Sequence, residues 1–391
     1  MTDHAFEAPP VLEQIQQRTL VVGVVALVIG IAGVFISSSE LFFRAYLIGF
    51  IFCLGLCLGS MALLMIQHMA GGGWSLVIRR ILEAATRTIL LMAAFFLPIA
   101  FGIHKIYEWS NKGAIGSHKQ IYLSLPFFFA RAVFYFVVWG LLIYFLNKLS
   151  KRQDTTKDIR LVSKMQNISG PGLVLFGLTI TFASIDWLLS LDPEWFSTIY
   201  GLLIMAGEGL SALAFSIAFA VLLSKRAPMD KVYKPNYFHD LGKLMLALVM
   251  IWAYFSFSQL LIIWAGNLPE EIPWYISRLQ TNWKWVGLGL VLFHFAMPFV
   301  LLLSRDLKRD AKRLVLVAGL VLVARFIDVI WLIVPEFHRA NWFSVSWLDI
   351  VVPVGMVGIW FWYFLREFRK WPIMPIGAPN LEEVLESAPH H

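Results

Sequence analysis

The sequence predicts an all-α polytopic membrane protein with ten transmembrane helices, and three observations carry that prediction. Of the 391 residues, 59% are hydrophobic and 15% charged, with a mean hydropathy of +0.72. Soluble domains average about 45–50% apolar and about 25% charged. Apolar runs of roughly 20 residues recur along the chain, each long enough to cross a hydrocarbon core of about 30 Å. Lys and Arg gather on alternate connections between these runs, as expected where basic loops set the orientation of a polytopic chain. A disordered chain, a fibrous repeat and an ordinary soluble enzyme are thereby excluded.

Taken in order, residues 1–18 form an N-terminal tail whose first 17 residues hold three acids and no Lys or Arg. That is unlike a signal-peptide n-region, and the first apolar run has no A-x-A-like exit, so it reads as an uncleaved helix. The transmembrane domain covers 19–365, with spans at 19–37, 44–67, 86–104, 121–147, 170–191, 196–223, 242–265, 284–304, 313–334 and 346–365. Before the third span, GGGWSLVIRRILEAATR (71–87) has a basic amphipathic pattern and is expected to lie along the interface. Residues 366–391 form the C-terminal tail, where WPIMPIGAPN (371–380) is too rich in Pro for a helix and should lie extended against a neighbour or in solvent. Cys53 and Cys57, four residues apart on one apolar helix, read as small core residues because no further thiol or nearby His completes a metal site.

The basic residues split unevenly. Both tails and the connections after even-numbered spans carry 23 Lys and Arg, the opposite connections 7, and Arg131 and Arg325 lie within spans. The positive-inside rule therefore predicts cytoplasmic termini, and the pI near 9.3 belongs to membrane topology and not to nucleic-acid binding.

Two segments repeat. Ile185-Asp186 precedes Pro193-Glu194-Trp195, and Ile327-Asp328 precedes Pro335-Glu336-Phe337, in the shared frame I-D-x6-P-E-aromatic offset by 142 residues. An offset of four spans, with both copies running the same way, predicts two four-helix bundles related by an axis along the membrane normal. Bundle one covers about 44–191 and bundle two about 196–334. Spans one and ten are then peripheral.

Ionisable residues inside spans are costly, so each calls for a partner or a function. Counting about 1.5 Å per residue from the outer boundary puts Asp186 about 8 Å and Asp328 about 10 Å deep. By the same count Arg131, His294 and Arg325 lie near 15 Å, with Glu208 as deep or deeper. Arg325 and Asp328, at i and i+3, can pair on one helix face. Asp186 has no cation within one turn of its own helix, so, unless Arg131 or another span reaches it, it is expected to be the less satisfied acid and the proton carrier, supported by Glu208 and His294. Asp328 is then structural, and Arg131 and Arg325 tune the acids. His68 and His104 stand near span ends and are expected to be interfacial. The 59 aromatic residues could stack a planar ring, although belts and packing account for most of them. No axial His pair, P-loop or G-x-G-x-x-G occurs, so no metal ligand set, covalent cofactor or nucleotide site is expected.

The block FGLTITFASIDWLLSLDPEWFSTIYGLLIMAG (176–207) resembles the F subunit of bacterial alternative complex III, a quinol:electron-acceptor oxidoreductase. The likeness rests on Phe182, Asp186, Trp187, Ser190, Leu191, Pro193, Trp195, Phe196, Ser197 and Gly201; Glu194 stands where the family often has His. Outside the block the match is one of hydropathy. The resemblance implies the fold of polysulfide-reductase membrane subunits (NrfD/PsrC-like) and a bacterial cytoplasmic membrane. It implies as partners a sister NrfD-like membrane subunit, an iron–sulfur subunit, c-type haem subunits and, as a further associate, a terminal oxidase. The family's principal quinol site lies chiefly in the sister subunit, which leaves this chain three roles: support, proton translocation, or a second site for menaquinone or ubiquinone. Two other classes stay open from the residues alone. A secondary transporter would show interrupted helices at corresponding midplane positions, for which Gly207-Glu208-Gly209 is one candidate. A purely structural anchor would need no site at all.

Overall fold

The computed structural model describes residues 6–111, 121–226, 229–337, 345–379 and 381. Among them no strand occurs, and ten helices are long and apolar enough to cross a membrane. The all-α polytopic expectation holds.

In the first half of the chain, α1 is Val11–Ala32, α2 Ser39–Ala70, α3 Gly73–Thr86, α4 Ile89–Phe101 and α5 the short Ile103–Ile106. They lead to α6, Leu125–Thr156, and α7, Arg160–Trp187. In the second half, α8 is Tyr200–Ser224, α9 Met229–Val232, α10 Pro235–Gly266, α11 Pro273–Leu279 and α12 Trp283–Leu290. A π-helical turn, Val291–Ala296, joins α12 to α13, Met297–Leu303. The chain then continues through α14, Arg305–Arg309, α15, Ala311–Phe337, and α16, Leu348–Arg369.

The packing forms two rings. In one, α2 touches α4, α4 touches α6, α6 touches α7 and α7 returns to α2. In the other, α8 touches α10, α10 touches α13, α12 touches α15 and α15 returns to α8. The rings meet along α2 and α8, which are apolar on all sides and buried over nearly their whole length, as a helix must be when it has no polar face. Peripheral α1 packs along α16 through glycines. A Cβ on Gly23 would lie 2.7 Å from the Ile359 backbone nitrogen, so the crossing tolerates no side chain there.

Stretch 71–87 does not lie along an interface. Every residue from Ser75 to Thr86 is buried, and α3 runs on through α4 as one 29-residue candidate span. The basic residues go inside because they have partners there. Arg79 donates to Glu83 at 2.9 Å and to Ser150 at 2.8 Å, while Arg80 bridges Glu83 and Asp154. His68, in the last turn of α2, is buried beside this network, whereas His104 is exposed and bonds Ser110 at 3.0 Å. The Pro-rich tail lies against the body. Ile373 donates its N–H to the Phe6 carbonyl at 2.9 Å, Trp371 covers Arg87 at 4.1 Å, and Gly377 abuts the Gln153 carbonyl too closely for a Cβ. Both cysteines are free and buried.

Candidate functional site

The two repeated acids have different surroundings. Asp186, at the end of α7, accepts two bonds from Arg131 of α6, at 2.8 and 2.7 Å, and a third from the Tyr135 hydroxyl at 2.8 Å. Its own helix has no cation within one turn of it, but the neighbouring helix supplies one as a fork matched to a carboxylate. The expectation that Asp186 is the less satisfied acid is therefore overturned. Arg131 also stacks on Tyr122 at 3.9 Å and donates to the Tyr122 carbonyl at 2.9 Å, which fixes the fork from behind. Around the acid the ring is full. Phe50, Phe96, Tyr135, Phe136 and Trp139 place their ring centroids 5.3–6.0 Å from Trp187, the residue after Asp186.

Asp328 pairs with Arg325 one turn below it, as the i, i+3 spacing predicts, and accepts from Trp252 Nε1 of α10 at 3.3 Å. Arg325 lies across Gly207 of α8, where any Cβ would collide with its guanidinium. That contact brings α8 and Glu208 under the same cation. Glu208 is buried against Gly55 and Gly59 of α2, and its Oε2 has no hydrogen-bond partner among the described residues. The helix around it is continuous, so Gly207-Glu208-Gly209 is not a break.

His294 completes the cluster. It is fully buried, its ring lies 4.0 Å from that of Trp252, and neither ring nitrogen has a partner among the described residues. It sits in the π-helical turn, where the Met297 N–H reaches back five residues to the Leu292 carbonyl. Pro298 explains the wider turn: it has no N–H to offer the carbonyl of His294, four residues earlier.

Beside Asp328 and Trp252 opens a cavity of about 690 Å³, within the range of small-molecule sites. Its walls are mostly apolar and aromatic, from α8, α10, α11, α12, the π turn and α15. The polar groups facing it are few: Asp328, Gln259, Tyr275 and Ser256, with Lys284 at the end nearest α11. Burial holds the Tyr275 phenol above its ordinary range, so it keeps its O–H proton. Trp331 Nε1 and Gln259 Oε1 are buried without hydrogen-bond partners among the described residues. Along the side of the cavity, Tyr254 and Phe257 of α10 are 66% and 63% exposed, and Val291 and Leu288 opposite them are also exposed. On this side, therefore, the wall of the cavity is made of exposed apolar side chains.

Of the six predicted residues, four therefore converge: Glu208, His294, Arg325 and Asp328. Asp186 and Arg131 form a separate, sealed pair. The sequence did not single out Trp252, Gln259, Tyr275 or Trp331; a lone Gln within an apolar span was the available signal. Two ion pairs also went unpredicted, Arg44 with Asp349 and Arg278 with Glu336 at 2.7 Å, because each joins residues far apart in the chain.

No family model and no curated protein matches the chain.

Proposed function

We propose that this chain is a non-haem membrane subunit of a respiratory quinol oxidoreductase of the alternative complex III type, and that its second helix ring holds a quinone. The observation that carries the proposal is the apolar cavity, flanked on one side by exposed apolar side chains and with a carboxylate in its wall, which we read as open to the bilayer. A ligand that reaches the site from hydrocarbon must be lipid-soluble, and the aromatic lining suits a flat ring. Few polar groups face the cavity, which suits a head group with two oxygens. A deprotonated Asp328 can only accept a hydrogen bond, so it favours a hydroxyl of the reduced ring. Tyr275 and Lys284 can donate to the other oxygen. Quinol oxidation releases two electrons and two protons. The electrons pass to partner subunits, and Oε2 of Glu208 and the ring nitrogens of His294, which have no hydrogen-bond partner among the described residues, can take a proton onward.

The proposed partners are a sister membrane subunit, an iron–sulfur subunit, c-type haem subunits and a terminal oxidase. The proposed location is a bacterial cytoplasmic membrane with both termini inside, supported by the 23 to 7 distribution of Lys and Arg. Continuity of α8 removes the helix break on which a transporter reading relied.

The test is photolabelling with an azido-quinone in native membranes. Labelling should fall on α10 and α12, compete with unmodified quinone, and disappear in Ala253→Trp, which fills the cavity. Labelling that ignores competitor and Ala253→Trp alike would remove the quinone assignment.

A further inference from the structure

The repeated Pro-Glu-aromatic motif has a use that its position in two separate helix rings does not suggest. Both copies end on α11, the seven-residue helix between the seventh and eighth spans. From the first copy, Trp195 stacks on Trp274 with ring centroids 4.8 Å apart and planes 12° apart, and its Nε1 donates to the Glu271 carbonyl at 3.0 Å. From the second copy, Glu336 accepts from Arg278 at 2.7 Å.

Arg278 is buried and fully engaged. Its guanidinium donates to the carbonyls of Trp274, Trp331 and Leu332 at 3.0, 3.2 and 3.1 Å, and lies 3.5 Å from the Trp274 ring. It thereby ties α11 to α15 through two carbonyls and one carboxylate. The segment it holds is a wall of the cavity, since Tyr275 and Leu279 of α11 and Trp331 of α15 all face inward. Without those ties α11 would hang between a stretch with exposed Leu268, Pro269 and Glu270 and the turn at 280–282, too short to stay folded alone.

We infer that the two motif copies form a latch on α11, with Trp195 and Arg278 as positioning residues that close the cavity at this end and leave the bilayer as its route of exchange. The arrangement also accounts for the divergence of the two copies. One supplies an aromatic ring, stacked on Trp274, and the other a carboxylate, paired with Arg278 one turn further along the same short helix.

The inference rests on the cavity being a ligand site, but the latch can be measured without a ligand. Gln259→Cys places a thiol on the cavity wall at a position that is 1% exposed, while native Cys53 and Cys57, also buried, report on the rest of the fold. In native membranes, a membrane-impermeant maleimide should label this introduced thiol slowly. Adding Arg278→Gln, which loses a charge-assisted anchor, or Trp195→Ala, which loses a stacked ring and its hydrogen bond to the Glu271 carbonyl, should raise the rate about tenfold or more. Arg278→Lys, which keeps the charge but not the fork, should fall between. Cys53 and Cys57 should stay protected throughout.

An unchanged rate at the introduced thiol in both variants, with the native thiols protected, overturns the latch. So does joint labelling of all three thiols in the milder Arg278→Lys and Trp195→Phe, because α11 would then hold the whole fold and not one wall. If labelling responds as expected while the wild type shows no competable quinone labelling, the latch stands and the quinone assignment fails.

Discussion

The two helix rings carry the same acid in the same motif, yet one has become solid and the other hollow. At the position after the acid, ring one has Trp187 and ring two has Val329. Trp187 sits among five aromatic rings, and Asp186 beside it accepts three hydrogen bonds. Asp328 receives Arg325 and a single indole, and a cavity of about 690 Å³ opens next to it. A buried carboxylate that is saturated by fixed donors pins helix positions; one with spare acceptor capacity beside an open space can meet a ligand. Ring one thus holds the saturated acid and ring two the acid with spare acceptor capacity, the reverse of what helix-local partners alone suggest.

The sharpest way to break this contrast is to neutralise each acid. Asp186→Asn strands Arg131 beside a buried amide and should cost about 3–5 kcal/mol, the usual penalty for breaking a buried pair. Asp328→Asn should cost less, about 1–3 kcal/mol, because Glu208 remains to answer the Arg325 charge. Thermal unfolding in one detergent gives both values, and equal losses would end the distinction.

Next in size, Trp187→Val imports the residue of ring two into ring one. The void it leaves among five rings should cost about 3 kcal/mol, at the low end for a large-to-small aromatic change. A loss under about 1 kcal/mol would mean that ring one collapses easily and is not the solid half. Proposed quinone labelling at α10 should persist in this variant.

His294→Leu should change stability by less than about 1 kcal/mol in either direction, since it removes a buried imidazole without hydrogen-bond partners among the described residues. Quinol-dependent turnover of the assembled complex should nevertheless fall. Stability kept with activity lost is the signature of a side chain retained for function. A large loss of stability would instead show that His294 is a packing residue.

The smallest effect is expected from Trp252→Phe, which keeps a ring against His294 but removes the N–H donated to Asp328. One long hydrogen bond at 3.3 Å should be worth about 0.5–1 kcal/mol. Proposed quinone labelling near α10 should shift measurably, and an unchanged pattern would place the ligand away from Asp328.

Much of the fold was legible because hydropathy and helix period act locally. The Arg325–Asp328 pair is a case: at i, i+3 on one helix, the contact follows from helical geometry once the span is recognised. The site was only half legible. Arg131 and Asp186 stand 55 residues apart, and nothing in either helix alone says which face turns toward the other. Stretch 71–87 was misplaced for a related reason: its arginines look like surface residues until Glu83, Ser150 and Asp154 are seen to surround them.

What the chain by itself determined is the number of apolar helices, the one-sided distribution of basic residues and the presence of costly charges within spans. These depend on transfer energies and on a period of about 3.6 residues, both properties of short segments. Tertiary structure decided which acid is saturated, where a void remains, and that Trp195 and Glu336 meet on α11. Those outcomes depend on how side chains from separate helices share volume. A cavity is the space that several helices together fail to fill, so no single segment encodes it.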